Sequence, residues 1–234
     1  MKFSIIIPIF NEKNNILPLS SKIFSNLKNY KYEVIFVDDS SNDGSEKILL
    51  KLNKKFKNFK VIFRKNKPRD LAKSCSEGFV KSKFNNLIVM DGDLQHNPNY
   101  IPKMLSVYKK NNCDIVVGAR DLIFNRVKSL SFFRQSASFI IIKFFEIFFG
   151  KKTIDPMSGF FLFKKKIYIK NKKKLFLKGF KILADLIYSE KNLIIKDVII
   201  KFDYRNKGKS KLNIKILFIL IQFIIYRLLN KNHY

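Results

Sequence analysis

Met90-Asp91-Gly92-Asp93-Leu94-Gln95-His96-Asn97-Pro98 is the stretch that decides how this chain reads. The run that delivers it, Leu87-Ile88-Val89-Met90, is short, apolar and unbroken, as in a buried parallel strand. Asp91 and Asp93 then fall at the strand's C-terminal edge, where ligands bind in open α/β sheets. Gly92 between them has no side chain, so a ligand can approach the backbone closely. Asp91, Asp93 and Gln95 together make an oxygen cluster suited to one Mg²⁺ or Mn²⁺ shared with a diphosphate. A plain strand followed by a polar turn would carry the same letters, so the weight falls on the surroundings.

Upstream, the same pattern recurs. Phe3 to Ile9 and Glu33 to Val37 are continuous apolar runs, and Val61-Ile62-Phe63 is a shorter one. Helical patterns follow each, over about 14–27, 45–56 and, capped by Asp70, through about Lys81. Downstream, 98–110 reads as a helix and Asp114 to Gly118 as a fifth strand. Such alternation argues for a parallel sheet with helices on both faces. Beyond residue 120 the pattern changes. A long aromatic helix is expected over 130–149, a strand over 159–163, a helix over 180–189 and extended chain over 193–202. A basic loop follows at 205–211, and an apolar helix at 214–229.

The chain has 234 residues, enough for one domain with a C-terminal appendage. Its net charge of +29 first suggests nucleic acid. Of its 47 basic residues, however, only Arg64, Arg69, Arg120, Arg126, Arg134, Arg205 and Arg227 are arginine, leaving 40 lysines. The lysines are spread along the whole chain beside abundant Ile, Phe and Asn, a compositional bias and not a binding stripe. The few carboxylates gather at strand ends, which disfavours a nucleic-acid binder. Cys75 and Cys113 are far apart and read as free thiols in a reducing compartment. The N-terminal apolar run is too short for a signal peptide and contains Pro8.

Five polar clusters follow expected strands: Asn11-Glu12, Asp38-Asp39, Arg64, Asp91-x-Asp93-x-Gln95 and Gly118-Ala119-Arg120. Several strand ends at one edge make a site. Pro8-Ile9-Phe10-Asn11-Glu12, Val37 to Gly44 and Asp91 to His96 resemble the successive motifs of family 2 glycosyltransferases. Asp155-Pro156-Met157-Ser158-Gly159-Phe160-Phe161 and Arg205-x-x-Gly208-x-Ser210-Lys211 are similar to the polyprenol-phosphate mannosyltransferase branch. The similarity runs from about residue 3 to 212.

That resemblance implies a GT-A fold, an α/β architecture with a mostly parallel sheet. A catalytic domain is expected over 1–211, and the apolar residues beyond it suggest a membrane-interface helix and tail over 212–234. The implied reaction is inverting transfer of mannose from GDP-mannose to a polyprenyl phosphate at the cytoplasmic face of a membrane. Transfer from a UDP-sugar is the alternative, and a nucleotidyltransferase on a similar sheet a further one. Nucleotide contacts are implied at Pro8, Phe10, Glu12, Val37 and Asp39, with Gly92 beside the metal motif. Phe10 stands where the family pattern often has Tyr, so a hydroxyl contact is lost there. Asp91, Asp93 and Gln95 match the metal motif for Mg²⁺ or Mn²⁺, and Arg120, Arg205 and Lys211 match residues that embrace phosphates.

The residues' own chemistry agrees. Two close carboxylates resist ionising together without a cation, and planar guanidinium forks suit phosphate. Arg134, at the head of the aromatic helix, is expected with Arg120 to dock an acceptor phosphate, and Arg126 is a weaker candidate. Asp43 reads as a helix cap, His96 as a turn or core histidine, and Asp155 as a cap, an arginine holder or a base. Residues 214–229 are too short to span a bilayer core of about 30 Å. We therefore expect them to lie in the interface, with Lys215 and Arg227 at headgroup level.

Overall fold

The computed structural model describes residues 1–120, 143, 146, 147, 149–179, 182–201, 222–227 and 229. Most of the aromatic helix expected over 130–149, the basic loop and most of the helix expected over 214–229 lie outside them, as do Arg126, Arg134, Arg205 and Lys211.

Seven strands form one sheet: β1 Lys2–Ile9, β2 Lys31–Asp38, β3 Phe59–Phe63, β4 Asn86–Val89, β5 Ile115–Arg120, β6 Phe161–Lys164 and β7 Ile195–Ile200. Their order is β3-β2-β1-β4-β6-β5-β7. Pairings β1–β2, β2–β3, β1–β4 and β5–β7 are parallel. Strand β6 alone is antiparallel, wedged between β4 and β5. Among the described residues the helices include α1 Lys13–Asn26, α2 Ser45–Lys55, α3 Leu71–Lys81, α4 Ile101–Lys110 preceded by a 3₁₀ turn at Pro98–Tyr100, α5 Lys165–Asn171 and α6 Ile182–Ile187, and residues 222–227 are helical near the C-terminus.

The pleat sorts β1 between two cores. Ile5, Ile7 and Ile9 pack with Ile16 and Leu19 of α1, Leu49 of α2 and Met104 of α4. Ile6 packs on the other face with Cys75 and Phe79 of α3 and Tyr168 of α5. Both faces are therefore covered, which is why these strands are apolar throughout instead of alternating. Strand β4, four residues long and almost wholly buried, sits at the centre.

Helix α5 is the element the residue pattern did not announce. It is short and lysine-rich, and it buries Ile167 and Tyr168 while exposing Ile169, so no amphipathic period develops. The antiparallel run of β6 was also not legible, because an apolar strand has the same composition in either direction.

The C-terminal helix differs from expectation in one respect. Arg227 does not sit at a solvent-facing end. It is 2% exposed and forms an ion pair with Asp185 of α6, which is equally buried. Its Nη2 also donates to the Asp185 carbonyl at 2.7 Å. Phe223 and Ile224 pack beside it against Ala184, Phe176 and Tyr188. A guanidinium on an apolar helix needs a partner, and the partner lay 42 residues away.

Candidate functional site

At the C-terminal edge of the parallel strands, β1 ends in Phe10 and Asn11, β2 in Asp38 and Asp39, β3 in Arg64, β4 in Asp91 and β5 in Arg120. Asn11 turns the chain with φ +57°; its N–H donates to Ser41 Oγ at 2.8 Å, and its Oδ1 accepts from the Asn42 N–H at 3.0 Å. Asp43 ties two helix starts, accepting from the N–H groups of Lys13 and Ser45. Burial alone would raise its pKa, but these hydrogen bonds and the Ser45 hydroxyl outweigh it and hold the carboxyl below its ordinary range.

Asp39 lies in a nearly dry setting. One carboxylate oxygen pairs with Arg64, and the other accepts the Asp70 N–H at 2.8 Å. Arg64 is 1% exposed and also reaches Glu77 and Ser74 at 3.1 Å each. Each Asp39 oxygen keeps a second lone pair for a ligand. Pro8 lies within β1 and Val37 in β2, paired in register; the Val37 side chain is fully buried and faces Gly78 of α3. Glu12 accepts from the Asn15 amide at 2.6 Å at the start of α1.

Past β4 the chain turns tightly. The Asp91 N–H donates to His96 Nδ1 at 3.2 Å. Asp93 Oδ1 accepts the Gln95 N–H at 3.2 Å, and Leu94 between them adopts φ +66°. A leucine in the left-handed region is strained, and such strain is tolerated where surrounding structure fixes it. A Cβ on Gly92 would come within 2.5 Å of the Ile9 side chain, so this turn requires glycine. Asp91 stays about one-third exposed while Asp93 and Gln95 are buried.

Strand β6 brings a second loop to the same edge. A Cβ on Gly159 would lie 2.4 Å from an Asp91 oxygen, so the carboxylate occupies space that only glycine leaves open. Ser158 Oγ donates to the Gly118 carbonyl at 2.6 Å and locks this loop to β5. Asp155, fully buried, then grips Arg120: Nε donates at 2.7 Å, Nη2 at 2.9 Å, and the Arg120 backbone N–H at 3.2 Å. Burial works against the Arg120 charge, but Asp155, and more weakly Asp91, raise its pKa above the ordinary value. Asp155 thus holds the arginine from a fully buried position. Arg120, expected to embrace phosphate freely, has two nitrogens of its fork committed to Asp155.

The donor set fits a hard divalent cation. Among the described residues no group of three His, Cys, Asp or Glu could form a closed metal cage. Two carboxylates and an amide at a partly open edge suit an ion that keeps waters and takes its remaining ligands from phosphate. Two features escaped the residue pattern: Gly159, whose role depends on a neighbour from another strand, and Arg69. The Arg69 guanidinium stands 4.3 Å over the Phe10 ring. Its only advance signal was being arginine in a lysine-rich chain.

A family profile and sequence relatives point to one family. The profile described as "Glycosyl transferase family 2" matches residues 4–171. A dolichol-phosphate mannosyltransferase of Pyrococcus furiosus is 35% identical over 98% of this chain and 64% of that protein. The chain therefore spans less than two-thirds of that relative's length. The dolichol-phosphate mannosyltransferase of Saccharomyces cerevisiae is 32% identical over 95% of this chain and 85% of that protein. Glucosyl-3-phosphoglycerate synthase from Mycobacterium tuberculosis, solved with Mn²⁺, UDP and glucosyl-3-phosphoglycerate, superposes with a TM-score of 0.68. It covers 98% of this chain and 79% of its own, at 16% identity, a likeness of fold alone.

Proposed function

The chain belongs to glycosyl transferase family 2 and has a GT-A fold, and from that premise we propose that it moves mannose from GDP-mannose to a polyprenyl phosphate, with inversion. The observation that carries this reading is the meeting of an acidic pair and a braced arginine at one sheet edge. Asp91 rests on Gly159, four residues from the Asp155 that holds Arg120. The names of the relatives supply the sugar and the lipid phosphate. Asp91, Asp93 and Gln95 would hold Mg²⁺ or Mn²⁺, which when bound neutralises a leaving diphosphate.

The chain's own residues then have three tasks. Phe10, Glu12 and Asp39 receive the nucleoside, and Asp91 and Asp93 fix the diphosphate end. Arg120 offers a positive charge of fixed direction. An acceptor phosphate monoester has a second pKa of about 6, so its oxygen is anionic and needs docking beside the anomeric carbon, not deprotonation. Asp155→Asn is accordingly expected to cost less in single-turnover rate than the ~10²–10⁴-fold lost with a general base. A larger loss with unchanged nucleotide and lipid binding would install Asp155 as that base.

The membrane belongs to this proposal. No helix among the described residues is long and apolar enough to cross a bilayer. Ile147, Ile225 and Leu229, at the margins of the two apolar stretches, are 77%, 50% and 77% exposed. With a net charge of +29, they favour a protein lying on an anionic surface. The test is a panel of radiolabelled GDP- and UDP-sugars offered with polyprenyl phosphate in anionic vesicles, with flotation measured in parallel. Mannosyl lipid from GDP-mannose on floated protein is the expected result. Product from a UDP-sugar alone would replace the donor assignment, and activity without flotation would remove the membrane surface from it.

A further inference from the structure

We propose that Arg69 is the residue that reads the guanine of the GDP donor. This rests on the transferase reading above and names a specificity determinant that the sequence motifs do not contain. The sheet order fixes where the nucleoside lies. The acidic pair follows β4, flanked by β1 on one side and β6 on the other. The β6 side carries Gly159, Asp155 and Arg120, which leaves the edge of β1, β2 and β3 for the nucleoside. There the ring that follows β1, next to β4, is Phe10, half-buried and covered by Arg69, which is exposed.

The backbone around the pair is anchored on both sides. Asn11 is bound to Ser41 and Asn42, which fixes the end of β1. Pro68 restricts the chain just before Arg69, and its carbonyl accepts from Arg64 at 3.4 Å. The Asp70 N–H is held by Asp39, and the Asp70 carboxylate accepts from Lys73 and Gly179 N–H groups. Only the Arg69 side chain is left to move, pivoting from a fixed Cα.

At 4.3 Å from the ring centroid, the guanidinium leaves no room for a base between itself and Phe10. A base must therefore take the ring's face, and the guanidinium must swing to its edge. Releasing an exposed cation–π contact costs no more than base stacking on an aromatic ring returns. At the edge, two parallel N–H donors match the O6 and N7 acceptors of guanine. They do not match adenine, whose 6-amino group is a donor, or uracil, which has no such acceptor pair. Phe10 lacks a hydroxyl and cannot read the base itself, so the hydrogen bonding has to come from elsewhere.

The experiment measures binding of GDP, IDP, ADP and UDP with Mn²⁺ to the wild-type protein, R69A, R69K and F10L by calorimetry, with melting curves as a fold control. IDP keeps O6 and N7 and lacks the 2-amino group. R69A is expected to lose about 10- to 100-fold for GDP and IDP alike, and little for UDP. R69K keeps the charge but not the fork and is expected to recover only part. F10L is expected to weaken all four nucleotides, since stacking is base-tolerant. Unchanged GDP affinity in R69A, or equal losses for GDP and UDP, overturns the assignment while leaving the transferase reading standing. Wild-type protein that binds no nucleoside diphosphate overturns both.

Discussion

Asp91→Asn is expected to cut turnover by about 10²–10³-fold while the fold survives, since removing one charge contact to a transition state typically costs ~3–4 kcal/mol. Local contacts keep the fold intact. The Asp91 backbone N–H makes the bond to His96, and this does not depend on the side chain. The side chain fits over Gly159 by volume, which an amide preserves. Asp93→Asn should behave alike, because an amide oxygen can still accept the Gln95 N–H. The measurement is single-turnover rate at saturating donor and Mn²⁺, with a melting curve on the same sample. Wild-type rates in both variants, or full activity in EDTA, would remove the metal from the reaction.

The second large effect is on stability. Asp185→Ala is expected to destabilise the protein by about 3–5 kcal/mol, the usual consequence of leaving one member of a buried ion pair alone. Asp185 also accepts the N–H groups of Phe176 and Leu177 at 3.1 and 2.9 Å, so three donors lose their acceptor together. For a chain of this size the fall in Tm is about 10 °C. Arg227→Met should cost less, since the two backbone N–H groups still serve the carboxylate. Thermal melts in mild detergent would rank the two. Equal, small shifts would show that the pair is solvated and that residues 222–227 are not held by it.

The contrast between these sites explains how far the residues alone could lead. The strand-end carboxylates were legible because each follows its own apolar run, so chemistry and position sit in one short window. The Asp70 cap was legible for the same reason, and its bond to the Lys73 N–H is present. Partners separated in sequence were not. Nothing near Arg227 points to Asp185, and nothing near Gly159 says that Asp91 will fill its missing Cβ. Asp155 could be cap, holder or base on the page, and only the fork of Arg120 decides it. The direction of β6 had no local signature, because hydrogen-bond partners, not side chains, determine whether a strand runs up or down.

That reversed strand has a bearing on how the chain is made. Strand β4 finishes at Val89, but the neighbour on its second edge, Phe161, is synthesised far later. While the ribosome adds the intervening residues, β1, β2, β3 and β4 can already assemble, with the open edge of β4 unpaired. An open apolar edge invites wrong partners. The nascent protein therefore passes through a period when its four-stranded half is formed and vulnerable to aggregation. The carboxylates of Asp91 and Asp93 are then on display, but the Gly159 floor and the Asp155 brace do not yet exist.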